Sequence, residues 1–112
     1  MNCQGWIRGM MSKSYETEKF LIHVVETIQR QLALWNENYE VKLLQNLLSD
    51  SNYYIEIRFG EKTYKVAVNE SEAARLQDEG AFKLDRYIWR SLVAQGLAIE
   101  PSEGNYLTYC SI

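Results

Sequence analysis

From Tyr53 to Asn69 the chain reads YYIEIRFGEKTYKVAVN. Tyr53, Ile55, Ile57 and Phe59 alternate with Tyr54, Glu56 and Arg58; beyond Gly60-Glu61, Tyr64, Val66 and Val68 alternate with Thr63, Lys65 and Ala67. A period of two over both arms marks strands that bury one face, so the stretch predicts a β-hairpin. A two-residue Gly-X loop at Gly60-Glu61 has the twist that suits a hairpin. It pairs Ile57 with Tyr64, Ile55 with Val66 and Tyr53 with Val68 on the apolar face, and sets Glu56 opposite Lys65 on the other. A four-residue loop would oppose Arg58 and Lys65, and a one-residue slip would turn the apolar set to solvent. The tight turn is therefore the expected register. A sheet with one apolar face needs a cover, and that need constrains the rest of the chain.

The expected cover lies upstream. Leu21, Val24, Val25, Ile28, Leu32 and Trp35 recur at three- and four-residue steps, which predicts a long helix with one apolar stripe. Ser14 stands where an N-cap would, Glu16 and Glu18 complement the positive end of the helix dipole, and Glu26 and Arg30 form an i,i+4 pair. Packing on the hairpin is the expected use of the stripe, with a dimer seam as the alternative. Residues 1–13, MNCQGWIRGMMSK, show no clear periodicity and read as a loose leader before a single domain over 14–112. Met10 and Met11 offer alternative translation starts, and Trp6 would be the anchor of a functional arm. Residues 39–48, YEVKLLQNLL, suit a short helix through Val41, Leu44, Leu47 and Leu48. The alternation of Tyr39, Val41 and Leu43 leaves a third strand open, with helix the preferred reading. Ser49 to Asn52 has turn composition.

Beyond the hairpin, Asn69 is placed as an N-cap with Glu72 three residues on, and a short helix over 70–79 should end at a left-handed Gly80. Asp85 is expected to cap the next helix, with Leu84 and Trp89 as a hydrophobic staple. Ile88, Trp89, Leu92 and Val93 form its apolar face. Gly96 stops it, and Leu97 folds back onto Leu92 in a Schellman motif. Pro101–Gly104 reads as a turn between two short strands, Leu97–Glu100 and Asn105–Cys110.

The order helix, turn, helix, short strand, turn, strand resembles the second half of a winged-helix domain, and SLVAQGLAIEPSEGNYLT resembles the helix end, break and wing of such proteins. That resemblance implies nucleic-acid contact through Lys83, Arg86 and Arg90 on the exposed side of the second helix. Arg86 and Arg90 are like charges at i,i+4, which an anionic partner would relieve. Opposing it, the turn bears Glu100 and Glu103, and the preceding helix bears Glu70, Glu72, Asp78 and Glu79. Carboxylates repel the phosphates from which nucleic-acid binders draw most of their affinity.

Length and charge narrow the functional classes. At 112 residues one domain is expected. The formal net charge of −3 arises wholly after residue 68: the first part holds eight basic and eight acidic side chains, the rest four and seven. Such a balance lacks the basic footprint of a non-specific nucleic-acid or anionic-membrane binder. No stretch approaches the ~20 apolar residues of a membrane span, and no signal-peptide run opens the chain, so a cytoplasmic location is expected. Cys3 and Cys110 form neither a disulfide framework nor a closely spaced metal pair. His23 is the only histidine, and no glycine-rich phosphate loop or nucleophile elbow occurs.

The expectation is thus a single α+β domain of antiparallel β-hairpins, a long N-terminal helix on the sheet and a helix-turn-helix-hairpin C-terminal part. Its expected role is that of a non-enzymatic interaction or regulatory module without catalytic residues, cofactor or metal, whose partner is another protein or a second copy of the chain. Tyr54, Glu56 and Arg58 on the polar hairpin face, with Glu70, Glu72, Asp78 and Glu79, form the candidate partner surface. Strand edges that could pair with another chain are a second route to a partner.

Overall fold

The computed structural model describes residues 5–45, 52–102 and 104–112. The elements in chain order are α1 (Gly5–Ser14), α2 (Thr17–Trp35), β1 (Glu40–Gln45), β2 (Asn52–Phe59), β3 (Lys62–Asn69), α3 (Glu70–Glu79), α4 (Lys83–Ala94) and α5 (Tyr106–Cys110). The expectations for Cys3, for 46–48, for most of the Ser49–Asn52 turn and for Glu103 lie outside the described residues.

The strands form an antiparallel meander in the order β1-β2-β3. The hairpin has the register argued from its alternation: Ile57 faces Tyr64, Ile55 faces Val66, Tyr53 faces Val68 and Glu56 faces Lys65. Gly60 takes φ +63° at its tip, a conformation in which a side chain would be strained. The segment read preferentially as helix is instead β1, whose Val41 and Leu43 extend the inner rows beside Ile57 and Ile55. Pairing with β2 satisfies backbone groups that isolated leucine-rich sequence would satisfy in a helix, so tertiary pairing overrides local propensity.

The stripe of α2 covers the inner face, as the period predicted. Leu21, Val24, Val25, Ile28 and Leu32 are buried in one cluster with Ile55, Ile57, Tyr64, Val66 and Val68. Trp35 is half-buried and meets Trp89 edge-on, 5.8 Å between ring centroids. Four local expectations are corrected. Ser14 does not cap α2: it ends α1, and its hydroxyl donates to the Met10 carbonyl at 2.5 Å, while Glu16 precedes α2 without a side-chain cap. Gly80 closes α3 in extended backbone, φ 175°, and not left-handed. Val93 points outward, 45% exposed, because it lies off the buried Leu84–Ile88–Leu92 line. The second hairpin is absent: residues 97–100 form no strand, and Tyr106–Cys110 is helix α5. There the tyrosine hydroxyl and the core contacts of Tyr106 outweigh the β-propensity of the segment.

Two expectations of helix chemistry hold. The Asn69 side chain accepts from the Glu72 amide at 2.7 Å. Leu97 N–H reaches the Leu92 carbonyl and Gly96 N–H the Val93 carbonyl, both at 3.0 Å, with Gly96 at φ +101°. That is the full Schellman pair, and it buries Leu97 in the core.

Over its described residues the supposed loose leader is helix α1, fastened at two points. Gln77 of α3, itself buried, donates through Nε2 to the Ser12 and Tyr15 carbonyls at 3.1 and 2.7 Å. At the second point Arg8 enters the core.

Candidate functional site

Three places could carry function: a buried polar network, the outer face of the sheet, and a groove along α4.

The network gathers residues from four helices. The Arg8 guanidinium pairs with the Asp85 carboxylate, and neither side chain is more than 1% exposed. Arg8 also donates to the Ala81 carbonyl and to Thr27 Oγ1, each at 3.2 Å. The second Asp85 oxygen accepts from the Tyr106 hydroxyl at 2.5 Å, and Trp89 Nε1 donates to that hydroxyl at 3.1 Å. The guanidinium lies over the Phe82 ring, 4.8 Å from its centroid. Burial raises the Asp85 carboxyl above the ordinary carboxylate range, against the opposing pull of Arg8 and of the Tyr106 hydrogen bond. Burial, then the Asp85 charge, pushes the Tyr106 phenol well up, so it stays a donor. Burial and the Arg8 charge lower His23. Asp85, expected at a cap, is thus the third residue of α4 and faces inward, because Arg8 supplies a partner that no helix end could.

In this network the side chains of Arg8, Thr27, Asp85, Trp89 and Tyr106 are all buried. Its chemistry is that of a buried cross-link which fixes α1, α2, α4 and α5 against one another. Sequence reasoning assigned Asp85 to the helix end and left Arg8 in the leader; the pair is separated by 77 positions. The only local hint was a carboxylate among Leu84, Ile88 and Trp89, on the apolar side of its helix.

Among the described residues no element packs over the outer face of the sheet. Its rows are Glu40–Arg58–Thr63, Lys42–Glu56–Lys65 and Leu44–Tyr54–Ala67. Leu44 is 46% exposed, Ala67 is exposed, and Tyr54 lies half-buried between them. Glu56 pairs with Arg58 on its own strand at 3.0 Å, although Lys65 stands opposite. The β3 edge, by contrast, is occupied. The Gln95 side chain accepts from Lys65 N–H at 3.0 Å and donates to the Lys65 carbonyl at 2.8 Å, as a neighbouring strand would. The Tyr87 hydroxyl donates to the Ala67 carbonyl at 3.0 Å. α4 therefore guards this edge against pairing with another chain.

The acidic residues grouped with Tyr54, Glu56 and Arg58 do not join them on the sheet. Glu70, Glu72, Asp78 and Glu79 lie on α3. Glu72 is near enough to Tyr87 to raise its phenol, after burial, by charge and hydrogen bond. Asp78 lines a depression shared with the α1–α2 junction, and Glu79 is neutralised by Arg75 at 3.1 Å.

The three cations expected on α4 do come together. Lys83, Arg86 and Arg90 line one groove with Leu76, Tyr87 and Ser91, about 520 Å³ in volume. Among the described residues no carboxylate lies in ion-pair contact with any of the three. Among those residues no group of three or more histidine, cysteine or carboxylate side chains could hold a metal ion. No helix there is long and apolar enough to cross a membrane.

These features define a single-domain α+β protein with a buried polar network and a three-stranded antiparallel sheet. Comparison with known protein families, curated proteins and solved structures gave no match.

Proposed function

We propose that the protein is a small non-enzymatic interaction module that holds a protein partner on the outer face of its sheet. The observation that supports this most is the Leu44–Tyr54–Ala67 row: a half-buried tyrosine between two exposed apolar side chains on a meander whose other face is packed. A half-buried tyrosine with fixed neighbours loses little conformational freedom on binding and is a common centre of interface energy. The flanking rows carry both signs of charge, which suits register-specific docking and not a polyanion. Gln95 and Tyr87 occupy backbone groups of the β3 edge, which disfavours strand pairing there.

The nucleic-acid reading retains Lys83, Arg86 and Arg90, but α5 stands where its wing would be. The test is recovery of partners by tagged chain from nuclease-treated extract of its own host. A species retained by the parent and by Gln29→Lys on exposed α2, but lost with Tyr54→Lys, supports the reading. The equilibrium affinity of that species should fall about 30-fold in Tyr54→Ala, the effect of truncating a central tyrosine. Retention by Tyr54→Lys, or a chain that is monomeric and recovers nothing, overturns it.

A further inference from the structure

We propose that the groove along α4 is a binding site for a compact organic phosphate. Lys83, Arg86 and Arg90 sit at i, i+3 and i+7, one stripe of α4 about 10 Å long at the helical rise. The chain has more acidic than basic side chains, yet among the described residues none of the carboxylates forms an ion pair with these three. Arg86 adds a second sign: its Nε is buried and has no hydrogen-bond partner. An unsatisfied guanidinium donor held beside two further cations costs stability unless an acceptor arrives. Leu76 and the ring of Tyr87 supply an apolar wall next to the charges. The volume falls in the range of small-ligand sites.

The hydrogen-bonding character of the lining selects the ligand class. Lysine and arginine only donate, and the Tyr87 hydroxyl, whose proton goes to the Ala67 carbonyl, keeps its oxygen as an acceptor. Ser91 Oγ already accepts from Gln95 Nε2. A bound peptide would bring a row of backbone N–H groups to a lining whose side chains offer only the Tyr87 and Ser91 oxygens as acceptors. A phosphate ester is all acceptor at its anionic end and matches the arginine fork in a bidentate manner. A long nucleic acid would extend past the groove toward α3, whose Glu70, Glu72, Asp78 and Glu79 repel it. Glu72 reaches Tyr87 at the groove wall, so a short doubly charged ligand held on the cationic stripe meets that one carboxylate where a polymer would meet the whole of α3. This site does not depend on the sheet face holding a partner.

Titration calorimetry of the full chain with inorganic pyrophosphate and with phenyl phosphate tests the assignment. One equivalent of pyrophosphate should bind, more weakly as salt rises, and phenyl phosphate should bind more tightly than inorganic phosphate through Leu76 and Tyr87. Arg86→Gln and the exposed Arg90→Gln should each weaken pyrophosphate at least about tenfold, the usual worth of a charge-assisted contact. Arg30→Gln, a cation on α2, should leave it unchanged. Absence of binding at millimolar pyrophosphate, or equal binding by the Arg90→Gln and parent chains, overturns the proposal. Tighter binding of a glutamate-rich peptide would make the groove a peptide dock, and affinity rising with oligonucleotide length would make it a nucleic-acid surface; either result overturns it as well.

Discussion

Replacing Arg8 by methionine tests the part of the fold that the chain buries most deeply. The substitution keeps most of the side-chain volume and removes the only cation in contact with Asp85 among the described residues, Asp85 being itself fully buried. Breaking a buried pair from one side costs about 3–5 kcal/mol, because the remaining charge stays desolvated. Against a total stability of about 5–15 kcal/mol that is a large fraction, equivalent to a fall in Tm of roughly 12–20 °C at about 4 °C per kcal/mol. The loss must depend on pH. Burial already raises the Asp85 carboxyl, and removal of Arg8 takes away the strongest influence holding it down. A carboxyl whose folded pKa lies above its unfolded value stabilises the fold below the unfolded pKa and loses that contribution as pH rises through the folded pKa. The cost of Arg8→Met therefore grows with pH, by about 1.4 kcal/mol for each unit over which Asp85 is protonated in the variant and ionised in the parent. His23 acts in the same direction, since the Arg8 charge that helps to lower it is gone. Urea unfolding followed by tryptophan fluorescence reads this directly, as Trp89 is bonded into the network. Adding Asp85→Asn should recover stability at pH 8, with a coupling of about 1–3 kcal/mol. A cost below about 1 kcal/mol at pH 8, or the same cost at pH 5 and pH 8, would refute the reasoning.

Other perturbations have narrower readouts. Gln95→Ala exposes the Lys65 backbone groups, and is expected to cost about 1–2 kcal/mol, speed amide exchange at Lys65 and promote concentration-dependent association in size-exclusion chromatography. Gly96→Ala forces a side chain into φ +101° and should lower stability by about 1 kcal/mol or more in urea titrations, whereas Gly9→Ala, in the middle of α1 with open space around it, should be neutral or stabilising. Asn69→Ala removes the cap of α3 at a cost of about 1 kcal/mol, and Asn69→Asp should restore it, both measured by thermal unfolding.

The buried network also explains why α1 belongs to the fold at all. Its outward face carries Trp6 and Met10, 68% and 59% exposed, and its apolar content alone would hold it weakly. Arg8 and the two hydrogen bonds from Gln77 supply the specificity that apolar contact lacks there.

The sequence by itself determined what depends on near neighbours. Alternation settled which hairpin residues face inward, Gly60 its tip, a three-to-four-residue recurrence the α2 stripe, and Asn69 and Gly96 the ends of α3 and α4. In each, the residues that interact lie within a few positions or are brought opposite by one tight turn, so the pattern itself holds the answer. Only the tertiary structure decided the rest. β1 is a strand because β2 offers it a ladder, α5 is a helix because Tyr106 must reach Asp85 and Trp89, and α1 is ordered because Arg8 reaches a carboxylate 77 positions away. The three cations of α4 lay on one helical stripe and were legible as a group, but the wall built by Leu76 and the solitude of the buried Arg86 Nε were not. Such features are set by distances between segments that the chain closes only on folding, where burial makes a single charge pair decisive and periodicity carries no trace of it.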